Sequence, residues 1–130
     1  MKPRPPDIEA AAVTYLSALL TSVVIGTDRP AGTDWQTLAG AVVRLHVVDG
    51  SAARSLVLDD SILAVEVWHP DSVTAADVAS QVCGCFDDWS GTTGGVLVYK
   101  ASASRPRSLP DPLLRIPRYL LTVQVTARRI

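Results

Sequence analysis

The feature that most restricts the fold of this sequence is the segment RYLLTVQVTAR, residues 118–128. Its odd positions from Tyr119 to Ala127 are apolar, whereas its even positions from Thr122 to Arg128 are polar. A period of two is typical of a β-strand that buries one face and turns the other to solvent. Because a single strand cannot bury a face alone, the segment predicts a sheet built from strands upstream.

Other parts of the chain supply both kinds of element. Apolar residues at spacings of three and four predict helices over 8–21, capped by Asp7, and over about 72–90, capped by Ser72 or Thr74. Alternating segments predict strands at 23–25, 38–48, 55–67 (broken near Asp59 and Asp60) and 94–101, with a hairpin turn at Asp49-Gly50. This order predicts an α+β fold, a two-layer sandwich in which two helices pack on one face of a mostly antiparallel sheet.

The chain length indicates one domain. A sequence of 130 residues suits a single hydrophobic core spanning residues 1–130. Within it we expect a flexible N-terminus at 1–6 and an extended, Pro- and Arg-rich loop or arm at 102–117. The apolar run at 10–26 is shorter than the about 20 residues that a membrane span requires, so we expect no membrane association.

Charge is distributed unevenly along the chain. Residues 1–99 hold 5 Lys/Arg and 12 Asp/Glu, whereas residues 100–130 hold 7 Lys/Arg and one acid, Asp111. Such a balance favours contact between the basic part and either nucleic acid or the acidic surface of another subunit. The residues predicted to form subunit or partner contacts are Arg105, Arg107, Arg115, Arg128, Arg129, Asp59, Asp60, Asp87, Asp88 and, as an exposed aromatic on the open sheet face, Trp68.

Little in the sequence suggests catalysis. His46 and His69 are the only histidines, and no nucleophile motif accompanies them. Cys83 and Cys85 point to different sides of a helix and lack further ligands at a recognised spacing. We therefore expect no enzyme activity, no cofactor and no metal site. The basic third of the chain has few aromatic residues, which disfavours specific nucleic-acid recognition.

Several short motifs resemble one protein family over nearly the whole chain. They are VEVWH at 65–69 followed by an Ala-rich helix, LPDP at 109–112, and PRY at 117–119 leading into the TVQVT strand. Together they resemble the tail terminator or tail-completion proteins of long-tailed, siphovirus-type actinobacterial phages.

The resemblance implies a function in virion assembly. It implies a homo-hexameric ring that caps the tail tube, ends its polymerisation and presents the surface for head joining. The implied partners are the tail tube protein and the head–tail connector or stopper protein, with DNA passing non-specifically through the ring. The protein would lie at the tail–neck junction of the virion and, during assembly, in the host cytoplasm. A connector or stopper neck protein and a small DNA-binding accessory domain remain the alternatives.

Overall fold

The computed structural model of this chain describes residues 7–53 and 59–130, with only the backbone at 49–53 and 129. The predicted flexible N-terminus, 1–6, lies outside the described residues. The elements in chain order are α1 (Ile8–Leu19), β1 (Val24–Gly26), β2 (Val42–Ala53), β3 (Asp59–Trp68), α2 (Ser72–Asp87), β4 (Gly91–Thr93), β5 (Val96–Ala103), β6 (Arg107–Ser108) and β7 (Arg118–Arg129).

The predicted last strand lies in the middle of the sheet. The strand order is β1-β2-β3-β7-β5-β4, with β6 also paired to β7. All of these pairs are antiparallel except β1 with β2. Val123 lies opposite Leu63 of β3 on one side and Ala103 of β5 on the other. The predicted burial is confirmed for Leu121, Val123, Val125 and Ala127, whereas Tyr119 is half-buried.

Both helices pack against the same face of the sheet, which confirms the predicted α+β class. The core contains Leu16 of α1 and Phe86 of α2 together with the odd-numbered residues of β2, β3 and β7. Asp7 caps α1 as predicted, because its side chain accepts a hydrogen bond from the Ala10 amide at 3.0 Å. The predicted caps of α2 are wrong. Asp71 caps α2 by accepting hydrogen bonds from the Val73 amide and the Thr74 hydroxyl.

The predicted hairpin turn at Asp49-Gly50 is also wrong. Both residues lie within β2, which continues to Ala53, and the pairing with β3 shifts register on either side of Asp49. A β-bulge explains the error, because it places turn-forming residues inside a strand without ending it. Asp59 and Asp60 are the first residues of β3, and residues 55–58 of the predicted strand lie outside the described residues.

A second hairpin was missed in the sequence. Gly91–Thr93 forms β4 and pairs with the start of β5. Gly94, in the connecting turn, has a positive φ of 57°, a conformation that favours glycine. The cluster of Gly and Thr therefore makes a short strand and a tight turn, not a loop.

Carboxylates from the helices accept hydrogen bonds from backbone amides in two strands. Glu9 of α1 accepts a hydrogen bond from the Val47 amide in β2 at 2.8 Å. Asp87 at the end of α2 accepts one from the Ala103 amide in β5 at 2.7 Å. Free amides along a sheet edge invite pairing with other strands, and negatively charged side chains at these positions oppose it.

The buried face of β7 yields a test of the fold. We expect Val123→Asp to unfold the domain, because burying an unpaired carboxylate costs several kcal/mol against a total stability of about 5–15 kcal/mol. The control is Gln124→Asp, one residue along the strand on the exposed side. Thermal unfolding followed by circular dichroism measures both variants. A Val123→Asp protein that melts like the control would contradict the assignment of the core face.

Candidate functional site

The segment predicted to be an extended arm folds back along β7. The Ser104 amide donates to the Thr122 carbonyl at 2.8 Å, and β6 pairs with β7 at Leu120 and Tyr119. The Leu109 amide then donates to the Arg118 carbonyl at 2.9 Å. Residues 104–109 of the predicted loop or arm thus continue the edge of the sheet within the chain. The physical reason is that β7 is longer than β5, so backbone N–H and C=O groups at the start of β7 have no partner in β5. The segment 104–109 forms hydrogen bonds with these groups.

A buried aspartate holds the next turn in place. Asp111 is 4% exposed, and its Oδ1 accepts hydrogen bonds from the amides of Leu113 and Leu114 at 2.9 and 3.1 Å. Its Oδ2 accepts the indole N–H of Trp68 at 3.0 Å and lies 3.8 Å from Nη1 of Arg118. We call residues 109–117 the Asp111 turn. The carboxylate fixes this turn to the open face of the sheet.

The environment of Asp111 favours its ionised form. Burial by itself raises the pKa of Asp111, but the hydrogen bonds from Leu114, Trp68 and Leu113 and the charge of Arg118 lower it. The resulting pKa lies below the ordinary value of 3.8. A carboxylate that accepts several hydrogen bonds is stabilised as the anion.

The expectation that Trp68 is exposed is wrong. Its side chain is 1% exposed and forms a small second core with Val42 and Ile116. The ring of Trp35 packs at 5.5 Å between centroids, at an angle of 60°. Trp68 does lie on the predicted side of the sheet, but the Asp111 turn and the loop before β2 cover it. Its contacts are with its own chain.

Beside this covered end lies a cationic groove on the open face. Glu66 bridges two arginines, with Oε1 at 2.9 Å from Arg44 Nη1 and Oε2 at 3.2 Å from Arg118 Nη1. Next to this triad is a cavity of about 470 Å³, which we call the arginine groove. Its lining includes the polar residues Arg44, His46, Glu66, Arg105, Arg107 and Arg118 and the apolar residues Ala64 and Leu120.

The groove carries excess positive charge. Four arginines face one glutamate there, and Arg44 and Arg118 already share Glu66. Arg105 and Arg107 are exposed and make no ion pair with any side chain that the structure describes. These two guanidinium groups are therefore available to an acidic ligand. Each presents several N–H donors in a fixed plane, which matches the geometry of a carboxylate.

Most of the other predicted contact residues lie apart from this groove. Arg115 is exposed in the Asp111 turn with a positive φ of 57°, and only the backbone of Arg129 is described. Arg128 lies within β7 opposite Leu97, with its Nε atom buried and lacking a hydrogen-bond acceptor among described residues.

The predicted acidic residues also have distinct positions. Asp60 accepts a hydrogen bond from the Thr126 hydroxyl at 2.6 Å, and Asp59 begins β3 opposite Ala127. Asp87 accepts from the Ala103 amide, whereas Asp88 is the exposed C-cap of α2. None of these acids lines the arginine groove of its own chain, although Asp87 contacts Ala103, which precedes the groove residue Ser104.

Sequence reasoning placed Arg105 and Arg107 in the site but left out Arg44, Glu66 and Arg118. The signal was present in the alternation of β2, β3 and β7, because all three occupy even positions on the open face. Their mutual distance depends on the register between strands, which the sequence does not specify.

Within the described parts of the chain, no group of three or more His, Cys, Asp or Glu side chains is arranged to hold a metal ion. No helix among these residues has the length and apolarity to cross a membrane. Cys83 and Cys85 are free thiols, and burial is the main cause that raises the pKa of each. Raised thiol pKa values reduce the fraction of reactive thiolate.

Comparisons with known proteins show one chain that is similar in structure. No family model and no curated protein matches this sequence. A chain from the virion of a native gene transfer agent particle is similar in structure, with 18% sequence identity and a TM-score of 0.57 over 87% of this chain and 84% of that chain. A second solved chain is 19% identical over 95% of this chain and 93% of its own, with a TM-score of 0.47. At 18% identity, the similarity to the gene transfer agent chain shows a shared fold.

The Asp111 turn gives a second testable prediction. We expect Asp111→Asn to lower the free energy of unfolding at neutral pH by about 1–3 kcal/mol, because the buried indole N–H and Arg118 lose a charged acceptor. Since the pKa of Asp111 is lowered by folding, its stabilisation is complete above about pH 4 and disappears as the pH falls through the folded-state value.

Thermal unfolding between neutral and acid pH measures this difference. The control is Asp28→Asn, which makes the same chemical change at an exposed position. The melting temperatures of wild type and Asp111→Asn should converge in acid, whereas the control should follow the wild type throughout. A constant gap at all pH values would contradict the role of the ionised carboxylate.

Proposed function

We propose that this chain is a structural protein of a phage-like virion and, more specifically, a tail terminator that forms a ring on the end of the tail tube. The observation that carries the proposal is the fold shared with a chain of the gene transfer agent virion over most of both chains. The motifs at 65–69, 109–112 and 117–119, which resemble tail terminator sequences, support the finer assignment.

The surface chemistry suits an assembly protein. The arginine groove offers exposed cations on one layer of the molecule, and acidic side chains project from the helices of the other layer. Complementary patches on different parts of one subunit make head-to-tail contacts, which close into a ring when the rotation between copies permits. The carboxylates at Val47 and Ala103 disfavour indiscriminate pairing of strands.

The proposal predicts a salt-sensitive ring. At low salt, light scattering should give a particle of six times the monomer mass, and electron micrographs should show rings. When the protein is added to polymerising tail tube protein, the tubes should stop growing and carry a ring at one end. High salt should weaken the ring, because exposed ion pairs are screened.

The same experiment separates the alternatives. A neck connector or stopper would bind filled heads or finished tails without halting tube growth. A DNA-binding accessory domain would remain a monomer and bind duplex DNA with a steep dependence on salt. A protein that stays monomeric at every concentration and leaves tube growth unchanged would refute the tail terminator proposal.

A further inference from the structure

Charge is separated between the two layers of the sandwich. The helix layer, residues 7–20 and 71–89, contains the acids Asp7, Glu9, Asp71, Asp77, Asp87 and Asp88 and no Lys or Arg. On the other layer, the strand register places Arg44, Lys100, Arg107, Arg118 and Arg128 on the open sheet face beside the acids Asp60 and Glu66. One face of the molecule is therefore acidic and the opposite face is basic.

The solvent-facing side of α2 is acidic and narrow. Its exposed positions after the first turn follow helical spacing and are Asp77, Ser80, Gln81, Gly84 and Asp87, followed by the C-cap Asp88. We call these residues the α2 solvent face. Five of the six are acidic or small, and no cation lies on this helix.

Gly84 has no local explanation within α2. A glycine in a helix interior is destabilising relative to alanine, because it has more conformational freedom to lose. A Cβ atom added at Gly84 would meet nothing within 4 Å, and its φ is not in the left-handed region. Neither packing nor backbone geometry in the monomer thus requires glycine here, whereas close approach of another surface would.

We propose that the α2 solvent face of one copy packs on the arginine groove of the next, with Asp77 and Asp88 meeting Arg105 and Arg107. This inference rests on the proposed ring and specifies its subunit contact. Asp71 caps α2, and Asp87 accepts a hydrogen bond from the Ala103 amide, so backbone groups hold both carboxylates. Asp77 accepts a hydrogen bond only from the exposed side chain of Gln81, at 2.9 Å, and Asp88 is exposed, so these two carboxylates can turn to a partner. The contact covers the open sheet face with a helix, as the other face is covered within the chain.

The composition of the groove favours an acidic protein surface over nucleic acid. Glu66 lies between Arg44 and Arg118, and the carboxylate of Asp111 lies 3.8 Å from Arg118. These anions would repel closely spaced phosphates. A helix that carries two separated carboxylates can form ion pairs with only the two unpaired arginines at the rim. Its small residues can then pack against Ala64 and Leu120.

A charge exchange tests the contact. We expect Arg105→Glu/Arg107→Glu and Asp77→Lys/Asp88→Lys each to raise the concentration for half-assembly by about tenfold or more at low salt, because several exposed pairs act together. The variant with all four changes should recover assembly, since every opposing pair is restored with reversed sign. The control, Asp28→Lys/Asp34→Lys, changes net charge by the same amount as the α2 variant but lies in the loop before β2.

The outcomes distinguish this contact from the ring itself. A wild-type protein that never assembles refutes the proposed function together with this inference. A wild-type ring that both double variants form equally well, or that the fourfold variant fails to recover, refutes only the contact. Gel shifts with a short DNA duplex provide a further test. DNA binding that Arg105→Glu/Arg107→Glu abolishes, with assembly unchanged, would assign the groove to nucleic acid and overturn the inference.

Gly84 provides a test that does not depend on charge. Gly84→Gln should weaken assembly by about tenfold, while the monomer melts at or above the wild-type temperature because glutamine is the better helix former. Gly84→Ala is the matched control, which removes the glycine but adds only a methyl group, and it should assemble better than Gly84→Gln. Equal assembly of the glutamine variant and wild type would overturn the close approach at this helix.

Discussion

The pairing of β7 with strands on both of its sides is the interaction on which the rest of the structure depends. Ten residues of β3 pair with it in unbroken register, and β5 and β6 pair along its other side. Without β7 the sheet would consist of two separate parts, β1 to β3 and β4 to β5. Its buried residues also lie at the centre of the core beneath both helices, where Val123 is fully buried. One strand therefore provides both the continuity of the sheet and the middle of its apolar face.

The same strand organises the opposite face. Because side chains alternate along β7, Arg118, Leu120 and Thr122 project away from the helices toward solvent. The Asp111 turn folds over this side and buries Trp68, while its hydrogen-bonded carboxylate also approaches Arg118. One end of the open face is thus closed by the chain itself, and the arginine groove lies beside it. The groove combines a fixed triad, Arg44–Glu66–Arg118, with two rim arginines that have more freedom.

A two-layer sandwich with one uncovered sheet face suits a subunit of an assembly. An exposed face of moderate polarity can be covered by a neighbouring copy, and the sign of its charge determines which surface of that neighbour fits. In this chain the helix layer supplies that complementary sign, and the engagement of Asp71 and Asp87 within the chain limits the acids available for contact. The proposed virion function is consistent with this arrangement, since a ring needs two different complementary surfaces on each copy.

The sequence alone was sufficient for the fold class and for both helices and the long strand β7, but not for the short strands β4 and β6. The period of two in β7 and the spacings of three and four in α2 are local properties, so they could be detected without knowing the partners of either element. It did not reveal that Asp49-Gly50 lies in a bulge, since the same residues favour a turn when no partner strand constrains them. The tertiary structure alone decided the candidate site. Glu66 forms ion pairs with Arg44 and Arg118, which are 22 and 52 residues away in the sequence. Trp68 donates a hydrogen bond to Asp111, 43 residues away, in the turn that buries it. Such contacts depend on strand order and register, which arise from the packing of the whole chain and not from any local pattern.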